Sequence, residues 1–447
     1  MKFLDQRVKT PRRVMGARRP PVSQGPLTPP RRLIFLITLA FVVSYVDRGN
    51  LATAGPLLSE ELKLSPTELG TLLSAFYLAY ASAMVPAGWL ADRYGAKQVL
   101  GFGVALWSGA TLLTGLAGGF TAILALRLLL GLGESGVFPS GSKLVRSSVD
   151  TTRIGIANGF ISFGYQIGPA IGTLVGGLLM ARFGWRGTFV LFGVLSLLWL
   201  VPWSRVKVHE VTTRQGIATA HVPPFRAILR QRALWGTAIG IFGGNYSFFF
   251  VLAWLPTYLV KARGLSMDAM ATIASPAYAL SAVMAVIGGL GIDHWVRRGG
   301  SVNAAHKGLL AIYYMVALVT MVGMALLPIG GSIACLYAYN FFGGLASPCI
   351  YGPSQIFAGP GATGRWVGVQ NMCGNLSGIL APALTGVLVD ASGSYVSAFV
   401  IAGLTSVVAL VGWIFVMPPV SPISWQAVAA RSCGEELPPD NPSDSPP

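Results

Sequence analysis

Residues 33–55 read LIFLITLAFVVSYVDRGNLATAG, an almost uninterrupted run of apolar side chains. An α-helix needs about 20 predominantly apolar residues to cross the hydrocarbon core of a bilayer, and this run is long enough. Its charged side chains are Asp47 and Arg48. The run therefore predicts a transmembrane helix that carries an acid and a base inside the membrane.

Eleven further apolar runs of similar length follow the first one. Charged residues make up only 11% of the 447-residue chain, whereas a soluble globular protein carries about 25%. We therefore expect an all-α integral membrane protein with twelve transmembrane helices. The predicted segments are 33–55, 67–90, 98–118, 120–145, 154–181, 187–203, 234–260, 268–292, 306–327, 332–357, 364–389 and 395–417.

The lysines and arginines predict the orientation of these segments. If the chain starts on the inner side, both tails and the even-numbered loops hold 25 of the 32 basic residues, and the opposite side holds five. The remaining two are Arg48 and Arg127, inside the membrane. The positive-inside rule then places both termini in the cytoplasm. The net charge of +16 reflects this asymmetry, so we expect a lipid bilayer and no nucleic acid as partner.

A weak internal repeat divides the chain into halves. The second segment ends in GWLAD (88–92) and the eighth in GLGID (289–293), 201 residues later. This offset predicts two six-helix pseudo-repeats, as in transporters built from parallel repeats. The predicted parts are a disordered basic tail (1–32), a first bundle (33–203), a cytoplasmic linker (204–233), a second bundle (234–417) and a disordered tail (418–447).

The charges inside the membrane are the candidates for function. Asp47 and Glu134 are the only acids deep in the predicted segments, and Arg48 and Arg127 are the only deep bases. Such residues are costly and are functional candidates by default. At a rise of about 1.5 Å per residue, Asp47 and Arg127 lie at nearly the same depth, so we expect them to pair. The alternative is that all four charges only lock helices together.

Several motifs carry a resemblance to a known family. They are YVDRGNLATAGP (45–56), GWLADRYGAKQ (88–98), RLLLGLGESGVFPS (127–140), FGWRGTF (183–189), WLPTYLVKARGLS (254–266) and NMCGNLSGILAP (371–382). Together they resemble the anion:cation symporter branch of the major facilitator superfamily, which includes bacterial galactonate and hexuronate transporters. The resemblance implies a non-enzymatic transporter that works by alternating access, without metal or cofactor. It implies uptake of a small organic anion with protons across a bacterial inner membrane, by a functional monomer.

The resemblance also implies roles for individual residues. Proton coupling falls to Asp47, Glu134 and Arg127, and Arg48 holds the substrate carboxylate. The other residues of the implied substrate pocket are Tyr45, Tyr80, Gln166 and Asn375, and Asn371 is added because it lies one helical turn before Asn375. The implied residues of the cytoplasmic gate are Asp92, Arg93, Arg146 and Arg153.

Two glycine motifs suggest other functions. We keep one as an alternative and discount the other. The fifth segment carries G-x8-G-x3-GP-x2-G from Gly155 to Gly172, which resembles drug:proton antiporters, so a proton-coupled exporter is the second candidate. The simpler interpretation is a small-residue face for close helix packing. GLGESG (131–136) fits a dinucleotide-binding pattern, but it lies inside an apolar helix, so we discount it. The four cysteines show no paired spacing and predict free thiols.

Overall fold

The computed structural model describes residues 30–148, 154–208 and 224–425, and the regular structure in these ranges is helical. The helices are α1 (Pro30–Glu61), α2 (Pro66–Tyr94), α3 (Ala96–Thr114), α4 (Phe120–Glu134), α5 (Val137–Ser148), α6 (Ile154–Leu198), α7 (Leu200–Ser204), α8 (Phe225–Leu229), α9 (Arg232–Thr257), α10 (Met267–Arg297), α11 (Val302–Leu326), α12 (Ile329–Ala346), α13 (Pro348–Ser392) and α14 (Val396–Leu410). Turns of π-helix, Tyr258–Ala262 and Val411–Val416, extend α9 and α14.

Ten spans within the described ranges are long and apolar enough to cross a membrane. One of them, Phe163–Ser204, contains a break at Gly184, whose φ of 71° and ψ of 170° no helix accommodates. This break separates the fifth and sixth predicted segments. The third predicted segment corresponds to α3, a 19-residue helix outside the ten spans, about 28 Å long. Dividing the broken span and adding α3 gives the twelve predicted segments.

The long α13 also contains two predicted segments. The Tyr351 hydroxyl donates a hydrogen bond of 2.7 Å to Asn371 Oδ1, and Gln370 Nε2 donates to the Ile350 carbonyl at 2.9 Å. Residues 20 positions apart on a straight helix would be separated by about 30 Å. The chain therefore folds back between them, and the tenth and eleventh predicted segments lie side by side.

The chain after α14 packs against the second half of the molecule. Val420 N donates to Asn303 Oδ1, Ile423 N to the Phe357 carbonyl, and Trp425 Nε1 to the Ala358 carbonyl. Residues 418–425 are therefore not the disordered start of a tail that composition predicted. The reason is that Val420, Ile423 and Trp425 supply apolar side chains that pack on the core. The remainder of that tail, the first 29 residues and linker residues 209–223 lie outside the described residues.

The two halves of the chain contact each other at one end of the molecule. Ser74 on α2 donates to the Ile379 carbonyl on α13, and Ser275 on α10 donates to the Ala170 carbonyl on α6. Thr67 N, in the first turn of α2, donates to Asp390 Oδ2 on α13 at 2.8 Å. The Thr67 contact lies at the loops that the charge rule assigns to the outer side, and Ser74 and Ser275 lie about 12 Å further along their helices.

At the opposite end, side chains of the helices that form this interface are exposed. Examples are Val85 and Trp89 on α2, Phe163 on α6, Leu290 on α10 and Met372 on α13. These exposed side chains lie toward the end that carries the basic loops. Under the predicted orientation, the hydrogen bonds that join the halves are therefore on the outer side of these side chains.

We predict that Asp390→Asn weakens the outer closure. The variant keeps a hydrogen-bond acceptor but removes a negative charge from the N-terminus of α2, an interaction that contributes about 0.3–1 kcal/mol. The ratio of outward-open to outward-closed molecules should rise about two- to fivefold. Pulsed electron paramagnetic resonance between spin labels at the exposed positions 60 and 261 measures this ratio. Asp268→Asn, which removes an exposed acid from the first turn of α10, is the control. Equal distance distributions in both variants and the wild type would contradict the prediction.

Candidate functional site

The candidate site is centred on a buried ion pair between α1 and α4. Arg48 Nε lies 2.6 Å from Glu134 Oε2, and the two side chains are 5% and 0% exposed. A hydrogen bond between two ionised groups is among the strongest that side chains make. The structure thus brings together two residues that sequence reasoning had assigned to the site, although it had not paired them.

Aromatic rings surround the guanidinium of Arg48. Its Cζ lies 4.4 Å from the centre of the Tyr45 ring, 4.5 Å from that of Tyr80 and 5.0 Å from that of Phe76. Arg127 Cζ lies 5.3 Å from the same Phe76 ring, so this phenyl group contacts both buried arginines. Cations over aromatic faces are stabilised, most strongly when they are removed from water. Sequence reasoning missed Phe76, because a phenylalanine in an apolar helix carries no signal of its own.

Asp47 and Arg127 do not form the expected ion pair in this structure. Asp47 Oδ1 instead accepts a hydrogen bond of 3.3 Å from Asn50 Nδ2, one turn later on α1. Asp47 Oδ2 and the Nε and Nη1 atoms of Arg127 are buried without a partner among the described residues. Both side chains are nevertheless buried, at 1% and 2% exposure. The site therefore contains charged groups whose hydrogen bonds are incomplete.

Two glycines set the distance between Glu134 and its neighbours. A methyl group at Gly131 would lie 2.4 Å from the Phe76 carbonyl on α2, and one at Gly133 would lie 2.8 Å from Trp107 N on α3. Such contacts exclude any side chain, so these glycines let α4 touch both helices. The pattern GLGESG is accordingly a packing motif in this fold, consistent with discounting it as a dinucleotide site.

The glycines of the fifth predicted segment perform the same task against α1. Methyl groups at Gly164, Gly168 and Gly172 would approach Thr38 O, Tyr45 Cβ and Val46 Cα to within 2.9, 2.5 and 3.1 Å. The stripe holds α6 against the part of α1 that carries Tyr45, Asp47 and Arg48. Its geometry supports the interpretation as a helix-packing face.

The second half of the chain contributes uncharged polar groups. Asn371 Oδ1 accepts from Tyr351, and Asn375 Nδ2 donates to the Asn371 carbonyl at 2.9 Å. Tyr351 is within electrostatic range of Tyr45 and Tyr80 of the first half. The sequence did not indicate Tyr351 as a site residue, because its contact with Asn371 depends on the fold-back of α13. Gln166, on α6, is half-buried.

The four residues assigned to the cytoplasmic gate are only partly described. Arg93 lies near the C-terminus of α2, where its guanidinium is 5.2 Å from the Trp89 ring and 5.6 Å from the Tyr94 ring. Arg153 lies outside the described residues, and the side chains of Asp92 and Arg146 do so as well. Their assignment to a gate stays a prediction.

Comparison with known proteins gives a consistent family. The sequence pattern of the Major Facilitator Superfamily matches residues 37–382. The chain is 31% identical over 404 residues to the hexuronate transporter of Bacillus subtilis strain 168, covering 86% of this chain and 94% of that protein. It is 28% identical over 408 residues to the probable L-galactonate transporter of Escherichia coli K12, covering 86% and 88% of the two chains.

Solved structures share the fold. The crystal structure of a D-xylose-proton symporter superimposes with a TM-score of 0.71 at 17% identity, covering 87% of this chain and 98% of the other. An inward-facing, unoccupied bacterial homologue of the lysosomal transporter Spinster gives a TM-score of 0.69 at 18% identity, covering 92% and 99%. At this level of identity the likeness concerns the fold.

We predict that Gly131→Ala destabilises the protein and disturbs the Arg48–Glu134 pair. The added methyl group meets the backbone of α2, which cannot move aside as a flexible side chain would, and overpacking of this kind costs about 1–3 kcal/mol. Gly109→Ala on α3 is the matched control, because a methyl group there meets nothing within 4 Å. Thermal unfolding of the purified variants measures the effect. A midpoint for Gly131→Ala equal to that of Gly109→Ala would show that the close approach is unimportant.

Proposed function

Because the chain belongs to the Major Facilitator Superfamily and is a multi-pass membrane protein, we propose that it takes up a small organic anion together with protons by alternating access. The observation that carries this proposal is the buried Arg48–Glu134 pair, with Asp47 and Arg127 beside it. Two acids and two bases in one bundle can exchange partners when a proton or an anionic substrate arrives.

Arg48 is suited to hold the carboxylate of the substrate. Its Nε is bonded to Glu134, whereas its Nη2 is buried without a partner among the described residues. The rings of Tyr45, Tyr80 and Phe76 fix the plane of the guanidinium. A planar arginine fork recognises carboxylates with two parallel hydrogen bonds. A carboxylate of the substrate would thus replace the negative charge that Glu134 supplies in the empty site.

Protons couple to this binding through the two acids. A proton on Glu134 removes the negative partner of Arg48 and leaves its positive charge for the substrate. A proton on Asp47 likewise removes a negative charge from the buried site that contains Arg127. One proton bound together with one substrate carboxylate leaves the net charge of the site at zero, as in the empty site, so closing the loaded site off from water costs less than closing a charged site. In this proposal the four charges couple protons to substrate binding. The alternative is that they only hold the helices together.

The uncharged groups of the second half suit a polyhydroxylated acid. Asn371, Asn375 and Tyr351 offer amide and hydroxyl groups, and Gln166 adds another amide from the first half. Relatives named as hexuronate and galactonate transporters fit this chemistry. We therefore propose a sugar acid, with Arg48 at its carboxylate and these groups at its hydroxyls.

The remaining parts of the proposal concern location and direction. We place the protein in a bacterial inner membrane as a functional monomer, with both termini in the cytoplasm, because of the distribution of basic residues and the bacterial relatives. A proton-coupled exporter is the second candidate. Uptake into membrane vesicles under an inward or an outward proton gradient distinguishes the two directions.

We predict that Arg48→Lys weakens binding of galactonate or a hexuronate at least about tenfold. An ammonium group is a point charge and cannot reproduce the two parallel hydrogen bonds of the guanidinium. Isothermal titration with purified protein measures the affinity. Arg182→Lys, at an exposed arginine on the predicted outer side, is the control and should bind as the wild type does. Binding by Arg48→Lys within twofold of the wild type would exclude Arg48 as the anchor.

We predict that Glu134→Gln abolishes accumulation driven by a proton gradient but leaves exchange of labelled for unlabelled substrate. Exchange does not require the empty carrier to return, so it needs no change of protonation. Asp47→Asn should abolish accumulation and also reduce exchange, because Asp47 balances the charge of Arg127. Both modes are measured in liposomes with and without a pH gradient, with Glu60→Gln at an exposed acid as control. Full accumulation by both variants would refute coupling through these acids and favour a purely structural role.

A further inference from the structure

A cleft of about 510 Å³ lies in the second half of the molecule. It is formed by the C-terminal part of α10, the first turns of α11 and the start of α13. The residues that line it are Gly289, Ile292, Val296, Arg297, His306 and Pro348. Under the predicted orientation it lies at the cytoplasmic surface of the membrane, because α10 ends and α11 begins on that side.

The cleft results from the way in which three helices pack. α10 and α11 each pack along α12 but make little contact with each other. A methyl group at Gly288 would collide with the Leu345 carbonyl, so α10 lies directly on α12 at that point. One residue later there is more room, since a methyl group at Gly289 would meet only Pro348, at 3.8 Å. The space between α10 and α11 therefore opens just beyond this contact.

The lining combines basic groups at the rim with apolar groups inside. Arg297 is the last residue of α10 and is exposed. Ile292 lies about 8 Å before it on the same helix and is buried. His306 is 6% exposed, and its Nδ1 lies 2.9 Å from the Val302 carbonyl. Arg298, beside the lining in sequence, adds a further cation at this level, whereas the Lys307 ammonium donates to the Ile414 and Met417 carbonyls.

We propose that the cleft binds the headgroup of an anionic phospholipid of the inner leaflet, such as phosphatidylglycerol. The phosphate contacts Arg297 at the rim, and the glycerol and upper acyl carbons lie against Ile292, Val296 and Pro348. Basic pockets between transmembrane helices on the cytoplasmic side suit this ligand, because the phosphate meets fixed positive charge and the chains remain in the bilayer. A bound lipid would join α10, α11 and α13 without touching the substrate site.

Native mass spectrometry of the purified, delipidated protein tests the proposal by titration with phosphatidylglycerol. Phosphatidylcholine tests the requirement for net negative charge, and glycerol 3-phosphate tests the requirement for acyl chains. We expect saturable binding of phosphatidylglycerol and at least about fivefold weaker binding of the other two. Equal affinity for phosphatidylcholine, or for glycerol 3-phosphate, would overturn the assignment to an anionic lipid.

Matched variants locate the binding site. Arg297→Gln should weaken phosphatidylglycerol binding about fivefold, whereas Arg298→Gln removes the same charge one residue outside the lining and should change it less than twofold. Gly289→Phe fills the cleft and should weaken binding at unchanged charge. Unfolding midpoints without lipid show whether each variant is folded. If Gly289→Phe does not fold, the comparison of Arg297→Gln with Arg298→Gln tests the site by itself. Equal loss in both arginine variants would show a diffuse charge effect and refute the site.

Discussion

The first half of the chain buries four charged side chains, and the balance among them constrains how its helices pack. An ionised side chain inside a bilayer costs several kcal/mol, and an apolar bundle has few means to offset that cost. One acid and one base approach to 2.6 Å, as Arg48 and Glu134, and each thereby supplies the other's counter-charge. Asp47 and Arg127 are equally buried but retain unpaired polar atoms. These four buried groups therefore sum to zero net charge when all are ionised, yet their hydrogen bonds are incomplete.

This balance requires helices that approach one another closely. An ion pair of this length cannot form between helices held apart by large side chains, so glycines occupy the contacts around it. Gly131 brings α4 against α2, and Gly168 brings α6 against α1 at Tyr45. Sequence patterns that resemble nucleotide-binding or antiporter motifs are thus explained by packing. Gly131 lies against the backbone of Phe76 and Tyr80, whose rings contact the guanidinium of Arg48. Hydrogen bonds satisfy only part of this guanidinium, because its Nη2 has no partner among the described residues.

The sequence predicted the composition of the site better than its contacts. Hydropathy alone indicated that Asp47, Arg48, Arg127 and Glu134 are deep, since depth follows from position along a helix. It could not indicate which pair would meet. Adjacent residues such as Asp47 and Arg48 point about 100° apart around α1, and only the packing of α4 decides which one Glu134 reaches. The apolar runs likewise gave the helical segments, whereas the contact of Tyr351 with Asn371 and the packing of residues 418–425 depend on tertiary structure.

The hydrogen bonds between the halves at the outer end differ in strength from the buried Arg48–Glu134 ion pair inside the first half. Besides close helix packing, as between Gly70 and Pro382, the outer contacts between the halves include hydrogen bonds to the Ile379 and Ala170 carbonyls and a carboxylate at the N-terminus of α2. Neutral hydrogen bonds contribute only about 0.5–1.5 kcal/mol each, because water replaces them when they break. In the alternating access that we propose, this interface opens in every cycle, and contacts of this strength allow it to do so. A buried ion pair separated without a replacement charge would cost far more, so the strong pair lies within one bundle, where opening of the outer end need not break it.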